Sequence, residues 1–228
     1  MKKASFIFLI PVMTLFLLSF NAQAKDFKGI VTYKITIQGD DIPPEMMAFM
    51  PKVMTATIKG NMLRNEFSIT TPMGAMNQVQ IMNGDEKVVY HLMDMMGQKF
   101  YYKMTEEDIN ENMENEPKPD IQYVNETKTI AGYDCKKAII TIEEEDGKKN
   151  SFVIYYSPEL GSASTNFDKA MFNGIDGLLM EFEANENGMI MKFEAIEVKK
   201  ENVKDELFQV PAEYKETTPE ELQRSFGG

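Results

Sequence analysis

Reactive side chains are scarce in this chain of 228 residues, which has one cysteine, Cys135, and one histidine, His91. A single cysteine excludes an intrachain disulfide, and we expect Cys135 to be a free, partly buried thiol. Nucleophilic catalysis of the Ser-His-Asp or Cys-His type needs a histidine base, so it would depend on His91 alone. The sequence shows no residue set that supports such a role. We therefore predict a protein that is not an enzyme and that carries no cofactor.

Basic side chains are also few, with 24 lysines and arginines against 36 aspartates and glutamates and a net charge of −12. A surface of this sign repels the phosphates of nucleic acids and the headgroups of anionic membranes. The charge balance therefore predicts no nucleic-acid partner. It leaves the identity of any protein partner open.

Long apolar runs are limited to the amino terminus, where residues 6–20 follow two lysines. Residues 21–24 (NAQA) then match the small-x-small pattern of a cleavage site. The run is shorter than the roughly 20 residues that a membrane-spanning helix needs. We predict that residues 1–24 are a signal peptide cleaved after Ala24, and that the mature protein is periplasmic or secreted, with no stable membrane span. It would carry 22 basic and 36 acidic residues, a net charge of −14.

After the predicted signal peptide, apolar and polar residues alternate along most of the sequence, and the first such segment is Phe27 to Ile37. Turn signals such as Asn83-Gly84 separate the alternating segments. The pattern predicts a mostly β (α+β) domain over residues 25–216, with a large curved antiparallel sheet or half-barrel of about 10–11 strands. Residues 217–228 are polar and predict a frayed tail.

Short helices are predicted at three places. Glu45 to Met54 has helical spacing but contains Pro51, which predicts a broken or two-piece helix. A capping-box pattern at Thr105-Glu106-Glu107-Asp108 predicts a helix over residues 105–116. Residues 166–172 predict one or two helical turns. We expect the methionine-rich first helix to act as a lid that covers one face of the sheet and encloses an apolar space.

Methionine is concentrated in the first half of the domain, since 13 of the 17 methionines after residue 24 lie between Met46 and Met113. Methionine fills irregular apolar space and recurs on surfaces that bind varied apolar partners. Its thioether is also a soft ligand that suits Cu(I). The residues predicted to line an apolar cavity are Met46, Met50, Met54, Met62, Met82, Met93 and Met95. The residues of the alternative copper site are His91, Met93 and Met95.

Four segments carry a family resemblance, namely residues 27–33 (FKGIVTY), 129–138 (TIAGYDCKKA), 155–160 (YYSPEL) and 205–214 (DELFQVPAEY). Together they resemble a secreted domain-of-unknown-function family of gram-negative bacteria. That family in turn distantly resembles the lipoprotein-carrier (LolA/LolB-like) half-barrel proteins. The resemblance implies an open half-barrel with a helical lid and an apolar cavity for acyl chains. It implies no particular functional residue.

Three functional hypotheses remain after these observations. The leading one is an exported, non-enzymatic binding or carrier protein for an apolar ligand, such as a lipid or an acyl chain, in a methionine-lined cavity. The first alternative is a soft-metal module that binds Cu(I). The second is a structural or protein-interaction domain whose methionines fill its core.

Overall fold

The computed structural model describes residues 27–39, 43–71, 74–95, 97–114, 116–143, 147–186 and 189–226. The predicted signal peptide therefore lies outside the described residues. Within the described ranges, the helices are all too short or too polar to cross a membrane.

Twelve strands form a single open, curved sheet in this part of the chain. The strands are β1 (Lys28–Gln38), β2 (Val53–Lys59), β3 (Met62–Thr71), β4 (Gly74–Asn83), β5 (Val88–Met95), β6 (Gln98–Met104), β7 (Asp120–Ile130), β8 (Tyr133–Glu143), β9 (Lys149–Ser157), β10 (Leu178–Glu186), β11 (Met189–Lys200) and β12 (Lys215–Glu216). The helices are α1 (Pro44–Phe49), α2 (Glu106–Glu114) and α3 (Pro219–Phe226). Short 3₁₀ turns lie at Ala163–Thr165, Ala170–Phe172 and Asp205–Phe208.

The sheet consists of two consecutive meanders, β1–β6 and β7–β11, which join where β1 pairs with β11. These eleven strands are antiparallel to their neighbours, whereas β12 runs parallel to β6. The prediction of a mostly β fold with a large curved antiparallel sheet is confirmed. The additional strand is β12, which has two residues and is too short to produce an alternation in the sequence.

Alternation along β1 defines the face of the sheet that we call the inner face, where Val31, Tyr33 and Ile35 are buried. Residues directly opposite each other in neighbouring strands share a face. Val31 therefore extends the inner face to Ala56 of β2, and Ile35 extends it to Phe193 of β11. The main apolar core lies against this face.

Helix α2 covers part of the inner face, and its Ile109 is buried in the main core. The predicted capping box is present at its start. The hydroxyl of Thr105 accepts from the backbone N–H of Asp108, and the Asp108 carboxylate accepts from the backbone N–H of Thr105. These bonds satisfy N–H groups that a helix start leaves without an intrahelical partner.

The connection between β9 and β10, residues 158–177, also covers the inner face, and we call it the strap. Leu160 and Phe167 of the strap are buried in the main core. Asn166 holds the strap in shape, because its Nδ2 donates to the carbonyl oxygens of Ile175 (2.7 Å) and Gly177 (2.9 Å). The predicted helical turns over residues 166–172 correspond to one 3₁₀ turn, Ala170–Phe172, and another 3₁₀ turn at Ala163–Thr165 precedes the predicted range.

The predicted two-piece helix is wrong beyond Phe49, where α1 ends. Pro51 cannot continue the backbone hydrogen bonds of a helix, and the β-branched residues that follow favour an extended chain. Strand β2 begins at Val53, so Met54 is a strand residue that pairs with Tyr33. The cover expected from the methionine-rich helix comes from α2 and the strap instead, whereas α1 lies beside β3.

The opposite side of the sheet, which we call the outer face, is covered at β3–β6 by the carboxyl-terminal segment 203–214. Val203 and Phe208 of this segment form a buried cluster with Ile81 and Leu92. Helix α3 follows, in the segment for which the sequence predicts a frayed tail. The same segment does not extend over the outer face of the second meander. That part of the outer face carries ion pairs, such as the one between Lys192 and Glu181.

Candidate functional site

Six of the seven methionines predicted to line a cavity have described side chains, and these occupy four different environments. Met54 and Met82 are only 8% and 2% exposed and belong to the closed core. Met62 packs against the cluster on the outer face. Met93 and Met95 are half-buried on the inner face, and Met50 is half-buried beyond the end of α1. The side chain of Met46 lies outside the described part of the chain.

One end of the inner face, across β3–β6, carries a group of half-buried apolar side chains that we call the apolar patch. Strand register places Phe67 opposite Gln78, Met93 opposite Phe100, and Met76 opposite Met95. The members of the apolar patch are Phe67, Ile69, Met76, Met93, Met95 and Phe100. Because these side chains remain partly accessible, they differ from the fully packed residues of the main core.

A row of polar side chains crosses the same four strands next to the apolar patch. Register aligns Asn65 with Gln80, Gln80 with His91, and His91 with Tyr102, and we call these four residues the polar row. Asn65 Nδ2 donates to Gln80 Oε1 at 3.3 Å, and Gln80 Nε2 donates to Asp168 Oδ2 at 2.9 Å. The second bond connects the polar row to the strap.

Burial sets the electrostatics of these groups. The imidazole of His91 stacks on the ring of Tyr102, with 4.7 Å between ring centroids and 15° between planes. Burial, together with the positive charge of Lys169, lowers the pKa of His91 to about 4, so the ring is neutral near pH 7. Burial also raises the pKa of the Asp168 carboxyl above its ordinary value.

Cys135 is a free thiol, as the sequence predicts, but it is fully rather than partly buried. Burial raises its pKa to about 11, so the thiol is protonated near pH 7. Because the thiolate is the reactive form, this environment makes Cys135 a poor nucleophile. The described residues also contain no group of three or more His, Cys, Asp or Glu side chains placed to hold a metal ion.

A shallow pocket of about 370 Å³ lies on the outer face, across β2–β4. Its walls mix hydroxyl, amide and apolar side chains with one carboxylate, that of Glu66, which pairs with Arg64 at 2.7 Å. Val53 stands at this pocket and is 49% exposed. The pocket and the apolar patch therefore lie mainly on opposite faces of the sheet.

The alternative copper residues His91, Met93 and Met95 share the inner face of β5, since they alternate along one strand. The structure adds Met76, which lies directly across from Met95 and whose sulfur accepts from Gln78 Nε2 at 3.9 Å. Met76 was not among the residues predicted from the sequence for either site. The Asn83-Gly84 turn could have revealed it, because the turn sets the register of the β4–β5 hairpin.

Asp168 was also absent from the sequence-based candidates. It lies on the strap, far in sequence from Gln80, and no local pattern relates the two residues. Strand alternation and register place Gln80 and His91 on the same face of neighbouring strands. They do not indicate which residue of the strap approaches that face, because this depends on the tertiary fold.

Comparison with known families identifies a matching family. The profile of a family described as a domain of unknown function (DUF4412) matches residues 27–214. The matched region runs from the residue before β1 to the residue before β12 and therefore includes the apolar patch, the polar row and the strap. No curated protein matches the chain.

Proposed function

We propose that this chain, which belongs to the DUF4412 family, is an exported, non-enzymatic binding or carrier protein for an apolar ligand. The ligand would be a lipid or another molecule with an acyl-like chain, bound against the apolar patch. The distant resemblance to lipoprotein-carrier half-barrels is part of this proposal and agrees with the open, curved sheet.

The observation that carries the proposal is the apolar patch itself. Its side chains lie together at one end of the inner face, and each keeps part of its surface accessible. Contiguous accessible apolar surface of this kind is typical of binding sites, because leaving it in water is unfavourable. Methionines contribute three of the six members, and their flexible side chains adapt to ligands of different shape.

Export is the second component of the proposal and rests on residues 1–24. Cleavage after Ala24 would give a mature chain that starts at Lys25, shortly before the first described residue, Phe27. Phe27 packs in the main core. A cleavage site at Ala24 would therefore keep every described residue in the mature chain.

Native mass spectrometry tests ligand binding on protein purified from bacterial envelopes without delipidation. We expect a mass adduct that collisional activation removes and that extraction identifies as an apolar compound. Protein stripped of this compound should bind the uncharged fluorescent probe N-phenyl-1-naphthylamine. Protein that is consistently free of adduct and does not bind the probe would contradict the proposal and favour a structural or interaction domain with a filled core.

A soft-metal site is a second candidate, favoured by the position of Met76 directly across from Met95 with Met93 and His91 on the same face. Thioether and neutral imidazole groups are suitable ligands for Cu(I). The low pKa of His91 leaves its ring available as a ligand near pH 7.

Titration with Cu(I) under reducing conditions distinguishes this candidate from apolar binding. If the metal site exists, replacing Met76, Met93 and Met95 together by leucine should abolish high-affinity Cu(I) binding, because leucine keeps the apolar volume and lacks sulfur. The apolar-ligand proposal expects that variant to retain probe binding. Equal, weak copper binding by both proteins would reject the metal site.

A further inference from the structure

Three methionines of the apolar patch bring oxidisable sulfur atoms together on the inner face. Met76 and Met95 lie opposite each other across β4 and β5, and Met93 lies two residues before Met95 on the same face. Opposite residues of neighbouring strands are about 5 Å apart at Cβ, and residues two apart along a strand are about 6.5 Å apart. Three half-buried thioethers therefore share one small area of the inner face.

Other readily oxidised side chains are absent or enclosed. The chain has no tryptophan. The Cys135 thiol is fully buried, and burial raises its pKa to about 11, so the reactive thiolate is scarce near pH 7. The thioethers of Met54, Met82 and Met180 are closed in the main core. An oxidant that reaches the apolar patch therefore reacts with the three thioethers there rather than with the sulfur atoms of the core.

Oxidation would make the apolar patch polar. A thioether is apolar and flexible, whereas a sulfoxide carries a polar S–O group. Gln78 lies opposite Met93, and its Nε2 donates to the sulfur of Met76 at 3.9 Å. The two N–H groups of this amide cannot satisfy three sulfoxide oxygens. An apolar chain that covered the oxidised patch would therefore remove water from a sulfoxide that Gln78 cannot satisfy, which disfavours binding.

We propose that Met76, Met93 and Met95 form a reversible oxidation site, and that their conversion to sulfoxides by a hydroperoxide releases the apolar ligand. The lone pair of each sulfur attacks one peroxide oxygen, an S–O bond forms, and the O–O bond breaks. The sulfur loses two electrons, and hydrogen peroxide is reduced to water. Methionine sulfoxide reductases, with electrons from a dithiol, remove the oxygen as water and restore the thioether. This inference rests on the proposed binding of an apolar ligand and adds its regulation.

The test treats stripped, folded protein with hydrogen peroxide and follows each methionine by proteolysis and mass spectrometry. We expect Met76, Met93 and Met95 to be oxidised at least about tenfold faster than Met54 and Met82, because oxidation of closed residues requires opening of the core. The affinity for N-phenyl-1-naphthylamine should fall at least about tenfold, the loss expected when one polar group is covered without a partner. Treatment with methionine sulfoxide reductases for both sulfoxide epimers should restore the affinity.

Two variants assign the loss of binding to the apolar patch. Replacing Met76, Met93 and Met95 together by leucine keeps the apolar volume without sulfur, so this variant should keep its probe affinity after the same treatment. Met62→Leu removes a sulfur from the outer face and should lose binding as the wild type does. Wild-type binding that survives full oxidation of the patch, or an equal loss in the triple variant, would overturn the inference while leaving apolar binding intact.

The state of the protein before and after treatment decides the remaining outcomes. Untreated protein that does not bind the probe would contradict the proposed function and the inference with it. Unfolding of the oxidised wild type, measured by circular dichroism, would overturn the inference because the loss would then be damage. If the triple variant does not fold, the reductases decide the case. Recovery of binding with reduction of the three sulfoxides supports the inference, and complete reduction without recovery overturns it.

Discussion

Replacing Met93 by glutamate is expected to weaken probe and ligand binding by about 100-fold or more. Met93 is half-buried in the apolar patch, between Gln78 of β4 and Phe100 of β6. A carboxylate there would have to lose hydration when an apolar chain covers it, which costs several kcal/mol in an apolar environment. Probe titration measures the change, and Met93→Leu should bind within a few-fold of wild type because it keeps the apolar character.

Val53→Glu is the matched control, since it introduces the same charge at the outer-face pocket. Val53 is 49% exposed, so the carboxylate remains hydrated and the fold should be unaffected. Unchanged binding in Val53→Glu, together with loss in Met93→Glu, would place the ligand on the inner face. The reverse pattern would move the site to the outer pocket and contradict our assignment.

Replacing Phe167 by alanine is expected to lower the free energy of unfolding by about 3 to 5 kcal/mol. Phe167 is 5% exposed in the main core, and the Lys87 ammonium lies 4.6 Å from its ring centroid. The truncation therefore removes both packing and a cation–π contact. Urea denaturation followed by circular dichroism measures the loss.

Leu207→Ala provides the comparison for this prediction, because Leu207 is a large apolar residue that is 42% exposed. Its replacement should change the free energy of unfolding by less than about 1 kcal/mol. A Phe167→Ala protein as stable as Leu207→Ala would show that the strap does not form part of the cooperative core. The strap would then be a poor support for Asp168.

Local sequence patterns account for much of the fold. Alternation along β1 identifies its buried face, and the Thr105–Asp108 pair identifies the start of α2, because both signals depend on residues close in sequence. The pairing of β1 with β11 has no such local signal, since it joins Tyr33 to Ala195 across most of the domain. The same limit explains why α1 was expected to provide the cover that α2 and the strap supply.

The candidate site was predicted only in part, again because tertiary contacts leave no local signal in the sequence. Residue type indicated a methionine-rich surface but could not separate Met82, which is closed in the core, from Met93, which stays half-buried on the same face. That difference depends on where α2 and the strap end. Met62 was assigned to the cavity from composition alone, although its neighbour Leu63 belongs to the inner face and alternation places Met62 on the other.

The ¹³C-methyl NMR spectrum of methionine-labelled protein tests the central claim most directly, because methionines report on both faces and on the core. Resonances are assigned with single Met→Leu variants, and stripped protein is titrated with dodecanol. We predict shifts for Met76, Met93 and Met95 and little change for Met54 and for Met62. Saturation without shifts in the apolar patch, or shifts centred on Met62, would contradict ligand binding on the inner face.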